Sequence, residues 1–158
     1  MDGRVHEYSE SILPLPRLRV LCVDDNRDTA DSAGILLDIY GCEVAVCYDA
    51  DTAFATVPQF KPDLCLIDLR MPNGGGCELA LRLRARSREL PRYLIAVTAG
   101  GSDDSRNSSQ AAGFDMYVEM PIDWDNLLQV LAAIERILGR AAFVRSHLAR
   151  VPENTRED

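Results

Sequence analysis

Apolar residues in this chain fall into five short runs, and stretches with apolar positions three or four residues apart lie between and after them. A short apolar run bounded by turn signals predicts a buried strand, and three-to-four spacing predicts an amphipathic helix. Strands are expected at about 18–24, 42–47, 63–68, 92–98 and 116–119. The first helix is expected at about 28–40, with Ala33, Leu36, Leu37 and Tyr40 on one face. Asn26 or Asp28 is placed to cap it, and Gly41 to stop it. A short second helix starts at Asp49 or Asp51, turns Ala50, Ala53, Phe54 and Val57 inward, and ends before Pro58. Asn73-Gly74-Gly75-Gly76 reads as a flexible loop before a third helix at about 77–88, with Leu79 and Leu83 inward. The fourth helix, near 103–112, is polar through Arg106-Asn107-Ser108-Ser109-Gln110. Its inward side is expected to be Ala111 and Ala112, making it short and mobile. Asp123 caps a fifth helix whose stripe is Leu127, Leu131, Ile134 and Leu138.

A strand–helix unit repeated five times predicts a parallel sheet covered by helices on both faces, with right-handed crossovers. The expected architecture is a doubly wound, flavodoxin-like α/β fold, (βα)5, with strand order 2-1-3-4-5. In that order strands one and three are neighbours at the topological switch point, and ligand chemistry sits at the C-terminal strand edge. Strand one runs into Asp24-Asp25, strand three into Asp68, and strand four into Thr98. Asp24, Asp25 and Asp68 therefore meet in one crevice, with Thr98 beside it.

The 158 residues, 47% apolar and 27% charged, suffice for one domain with a real core and are ordinary for a soluble protein. No apolar run approaches the roughly 20 residues of a membrane span, and Met1 to Glu10 carries no signal-peptide core. A cytoplasmic protein without membrane contact is expected. The net charge of −8 argues against nonspecific nucleic-acid binding, which runs on basic patches. Cys22, Cys42, Cys47, Cys65 and Cys77 form no CxxC pair, and an odd number does not suit a disulfide framework; they read as buried hydrophobes. The expected organisation is an N-terminal extension over 1–17, a domain over 18–138 and a helical or disordered extension over 139–158. Ala141, Val144, Leu148 and Val151 of that last part lie at helical spacing, and 152–158 are polar.

Three carboxylates in one crevice repel one another and stay ionised together only beside a cation. Oxygen-only ligands suit a hard ion such as Mg²⁺. A carboxylate next to such an ion can attack a phosphoryl group and form an aspartyl phosphate, with catalysis mainly by positioning and charge neutralisation. Thr98, at the adjacent strand end, can donate its hydroxyl to a phosphoryl oxygen.

These pieces resemble the receiver domain of two-component response regulators over about residues 18–138. The matching segments are Val20-Leu21-Cys22-Val23-Asp24-Asp25-Asn26, Asp68-Leu69-Arg70-Met71-Pro72 and Ala96-Val97-Thr98-Ala99, followed by Ala112-Gly113-Phe114-Asp115 and Pro121-Ile122-Asp123. The resemblance implies that Asp68 accepts a phosphoryl group from a histidine kinase or a histidine phosphotransfer protein. It implies Mg²⁺ held by Asp24, Asp25, Asp68 and the backbone carbonyl of Arg70. It makes Thr98 the switch hydroxyl and Tyr117 the switch aromatic. The output face would comprise helix four, strand five and helix five, the first candidate for a homodimer contact or for a downstream protein target that the sequence does not name.

One position departs from the pattern. Receivers carry a lysine immediately before the proline after strand five; here Met120 precedes Pro121. A thioether offers neither charge nor a useful donor. Mg²⁺ should then matter more, and phosphorylation should be coupled more weakly to rearrangement. The side chain of Arg70 is the candidate for partly replacing the lost charge, against the alternative that it is simply solvated. The family resemblance also predicts a cis Met120–Pro121 bond. The first functional reading is a single-domain phospho-receiver, not an enzyme, signalling by protein contact or passing phosphoryl groups along a relay. The alternative is an atypical receiver-like interaction module with little or no dependence on phosphorylation. A flavodoxin-like nucleotide binder is disfavoured, because the acidic Asp24-Asp25-Asn26-Arg27-Asp28 loop has no glycine to cradle phosphate. An aspartate-nucleophile phosphatase is disfavoured because Arg70 stands where its general acid would be.

Overall fold

The computed structural model describes residues 18–72 and 75–139, and the expectations for 1–17 and 140–158 lie outside them. Five strands, β1 (Arg19–Val23), β2 (Glu43–Cys47), β3 (Leu64–Asp68), β4 (Tyr93–Thr98) and β5 (Met116–Glu119), alternate with five helices. The helices are α1 (Arg27–Ile39), α2 (Ala50–Phe60), α3 (Gly75–Arg86), α4 (Asp103–Ala112) and α5 (Trp124–Leu138). The sheet order is β2-β1-β3-β4-β5, and every pairing is parallel. This is the flavodoxin-like arrangement expected from the alternation.

Successive strand side chains point to opposite faces. In β1, Leu21 and Val23 face one layer and Val20 and Cys22 the other. The first layer buries Leu21, Val23, Cys65, Ile67, Leu94 and Ala96 beneath Ala53 and Val57 of α2, Leu79 and Leu83 of α3, and Ala112 of α4. The second buries Val20, Cys22, Leu64, Leu66, Ile95 and Val97 beneath Leu37 of α1 and Leu127, Leu128, Leu131 and Ile134 of α5. Burial on both faces is why these strands read as continuous apolar runs. Cys22, Cys42, Cys47 and Cys65 are buried thiols outside any disulfide, as expected of small hydrophobes, and Cys77 is half-buried and likewise not in a disulfide.

The capping alternatives resolve to Asn26, which accepts from Thr29 N at 3.1 Å, and Asp49, which accepts from Thr52 N at 2.7 Å. Asp123 accepts from Asn126 N at 3.2 Å at the start of α5. Three local expectations are corrected. α2 does not end before Pro58 but runs through it to Phe60. A proline in the last turn forfeits one N–H bond, and the turn is closed beyond it by Lys61, which takes φ 55° and donates to Val57 O at 2.8 Å. The glycine run is not all loop, because Gly75 and Gly76 open α3. In α4 the inward residues are Ser109 and Ala112, while Ala111 is exposed. The Ser109 hydroxyl donates to Arg106 O at 2.9 Å, so this serine is buried with its donor satisfied.

Candidate functional site

The sheet register builds the site. Val23 pairs with Ile67, so Asp24 and Asp68 are the next residues along adjacent strands. Asp68 pairs with Val97, which sets Thr98 one residue beyond it. One carboxylate oxygen from each of Asp24, Asp25 and Asp68 lies within 4.8 Å of the others. Asp24 and Asp68 are half-buried, Asp25 is exposed, and Thr98 is buried at 2% exposure. The expected constellation of three carboxylates and one hydroxyl therefore gathers at the C-terminal sheet edge.

Local backbone bonds fix the carboxylates. Asp24 Oδ1 accepts from Asn26 N at 2.9 Å, and Asp68 Oδ1 accepts from Arg70 N at 3.1 Å. Burial pushes the Asp24 carboxyl up to about 6; the Asn26 N–H opposes this, and the charges of Asp68 and Asp25 add to it. Asp68 is also raised, first by burial, with Asp25 adding and the Arg70 N–H and guanidinium opposing. Carboxylates raised and gathered in this way could hold a cation between them. The donor set is all oxygen, partly solvated and open on one side, which fits Mg²⁺ with retained waters.

Met120 lines a narrow cleft together with Asp24, Asp68, Thr29 and Ala33, so an apolar thioether stands where a charged group would face two carboxylates. The Met120–Pro121 peptide is cis, as expected from the resemblance, and Leu90–Pro91 is cis as well. Tyr117 on β5 is half-buried, its hydroxyl is buried with no hydrogen-bond partner among the described residues, and the Arg106 guanidinium stacks 4.9 Å from its ring centroid. The Arg70 side chain reaches across the site mouth, where Nη2 donates to the Gly100 carbonyl at 3.3 Å.

The comparison of sequences decides the family: the model of the response regulator receiver domain matches residues 20–132. The chain belongs to that family. Among relatives, the receiver is 30% identical over 120 residues to the phosphate regulon transcriptional regulatory protein PhoB of Pseudomonas aeruginosa, covering 76% of this chain and 52% of that protein. It is 31% identical over 119 residues to the response regulator MprA of Mycobacterium leprae, covering 75% of this chain and 51% of that protein. The chain thus spans about half the length of these curated relatives. It also matches a CheY-like receiver domain protein from Methanospirillum hungatei, with a TM-score of 0.69, 26% identity, and coverage of 77% of this chain and 96% of that one. Mg²⁺ and phosphorylation are typical of receivers, and receivers are signalling modules of two-component systems. No helix among the described residues is long and apolar enough to cross a membrane.

Three glycines of this receiver shape the site in ways that sequence reasoning missed. A Cβ on Gly76 would stand 2.5 Å from the Asp68 carbonyl oxygen, and one on Gly75 2.6 Å from the Leu69 carbonyl oxygen. The start of α3 thus packs directly on the backbone that carries Asp68, and Gly75 adds φ +69°. A Cβ on Gly101 would fall 2.0 Å from the Tyr117 hydroxyl. The glycine pairs themselves were the available signal, because a turn signal and a close approach look alike in sequence.

Proposed function

We propose that this receiver accepts a phosphoryl group on Asp68 from a histidine kinase or histidine phosphotransfer protein and signals through protein–protein contacts. The observation that carries this reading is the convergence of Asp24, Asp25 and Asp68 within 4.8 Å at adjacent strand ends, with Thr98 one residue beyond the Asp68 partner. Asp24, Asp25, Asp68 and the Arg70 carbonyl would hold Mg²⁺. Bound there, the ion would supply positive charge against the phosphoryl oxygens. The chain's own residues do the rest. An Asp68 oxygen is the nucleophile and is held by the Arg70 N–H. The Thr98 hydroxyl is positioned to donate to a phosphoryl oxygen. Tyr117, seated against the β4–α4 loop, reads the loop's position. The face of α4, β5 and α5 is the surface offered to a downstream protein or to a second copy. The protein acts in the cytoplasm as a signalling module rather than as an enzyme on other substrates.

Met120 favours a second reading, a receiver-like interaction module with little dependence on phosphorylation, because the cleft beside Asp68 holds a thioether. Intact mass after incubation with acetyl phosphate separates the two. The first reading expects a Mg²⁺-dependent phosphoryl adduct in the wild type and none in Asp68→Asn. Absence of the adduct from folded, Mg²⁺-loaded wild type overturns it in favour of the second.

A further inference from the structure

A phosphoryl group on Asp68 would carry about −1.5 to −2 of charge in place of the carboxylate's single charge, beside Asp24 and Asp25. A cation of the chain facing it would offset that charge in addition to any metal, and Met120 supplies none. The Arg70 guanidinium bears on Asp68, opposing the rise of its carboxyl. Its side chain is exposed and spans from the β3–α3 loop to the β4–α4 loop, held by one contact to a neutral carbonyl, Gly100 O, at 3.3 Å. That is long for an N–H···O bond. A phosphoryl oxygen offers a shorter, charge-assisted bond to the same donor, roughly twice as strong. The planar fork can also engage two such oxygens at once.

We propose that Arg70 is the phosphoryl-sensing cation of this receiver, its guanidinium exchanging the Gly100 carbonyl for a phosphoryl oxygen on Asp68 and so releasing the β4–α4 loop. The inference rests on the phosphoacceptor reading given above. In the covalent step an Asp68 carboxylate oxygen forms the bond to phosphorus. The bond from phosphorus to the bridging oxygen of acetyl phosphate breaks, and acetate leaves with the electron pair; no proton or redox equivalent is consumed. Arg70 neutralises the charge gathered on the transferred group. The released carbonyl belongs to Gly100, whose φ of +68° holds a tight bend, and the next residue, Gly101, lies against the Tyr117 hydroxyl. Loss of the Arg70 contact therefore acts one residue from the seat of Tyr117.

The test uses the full chain, acetyl phosphate and Mg²⁺, with wild type, Arg70→Lys and Arg70→Ala. Arg70→Ala is expected to form the adduct about two- to fivefold more slowly, as befits loss of one exposed charge contact, and Arg70→Lys to recover part of the rate. The Arg70 Nε–Hε resonance, identified by its absence from Arg70→Ala, is expected to shift on phosphorylation. The Gly100 and Gly101 amides are expected to shift with it in the wild type and less in Arg70→Ala. An unmoved Arg70 resonance on the phosphorylated wild type, or an Arg70→Ala variant that matches wild type in rate and in loop shifts, overturns the inference and leaves the phosphoacceptor reading standing. Failure of wild type itself to form an adduct removes both.

Discussion

Met120 donates its backbone N–H to the Thr98 carbonyl at 2.7 Å, so the residue in the place of the family's lysine is tied to the end of β4. That bond is made by the backbone and does not use the side chain, which shares a cleft with Asp24 and Asp68. Met120→Lys should place an ammonium against both carboxylates without moving the strand. The Asp24 carboxyl should titrate well below about 6, and Mg²⁺ should bind roughly five- to tenfold more weakly because the lysine competes with it. Phosphorylation should produce a larger change in the fluorescence of Trp124, the single tryptophan, just beyond Pro121. Equal fluorescence responses in Met120→Lys and wild type would count against a switching role for this position.

Asp24 also predicts how stability depends on pH. Its folded pKa of about 6 lies above the ordinary carboxyl value of 3.8, so the folded state binds the proton more tightly than the unfolded chain. The associated stability is fully present below 3.8 and is lost as pH rises through about 6. In chelator, the melting temperature should fall between about pH 4 and 6, and Asp24→Asn should flatten that fall. Mg²⁺ needs the ionised carboxylate, so its stabilising increment should be larger at pH 7 than at pH 5. A melting temperature that rises alike in wild type and Asp24→Asn over this interval, without metal, would contradict the assignment.

Gly76→Ala tests the packing of α3 on β3, the strand that ends in Asp68. The added methyl would stand 2.5 Å from the Asp68 carbonyl oxygen and 2.9 Å from Ile67 Cγ2, and the first of these is backbone. Neither neighbour is a flexible side-chain end, so the cost should be about 1–3 kcal/mol. Urea denaturation should show an earlier midpoint at unchanged slope. A midpoint equal to that of wild type would mean that α3 shifts freely off β3.

Gly101→Ala should act on Tyr117 rather than on the fold. Its Cβ would lie 2.0 Å from the Tyr117 hydroxyl and 2.8 Å from Glu119 Oε2, both at the ends of side chains that can swing aside. The variant should keep its stability while Tyr117 moves outward, leaving its place beside Arg106. Ring-carbon chemical shifts of Tyr117 would report the displacement. Unchanged shifts would show that the loop backbone yields instead of the tyrosine.

Much of this receiver was legible before its structure. The apolar runs ending in Asp24-Asp25, Asp68 and Thr98 determined the strands, and the βα alternation determined their order, because buried parallel strands leave an uninterrupted apolar signature. Side-chain type determined the oxygen-only site, since carboxylates admit few alternatives once they share an edge. The lack of a lysine before Pro121 was equally plain. Tertiary structure alone decided how tightly those parts meet. Pro58 is carried inside α2 because its one lost bond falls in a turn closed by Lys61. Ser109 is buried because its hydroxyl bonds Arg106 O. Gly76 and Gly101 are fixed by atoms from other elements, Asp68 O and the Tyr117 hydroxyl. The reach of Arg70 to Gly100, thirty residues away, is likewise a property of two loops placed side by side by the sheet. Local pattern encodes which face a residue presents; the distance to a partner far along the chain is set only when the elements pack.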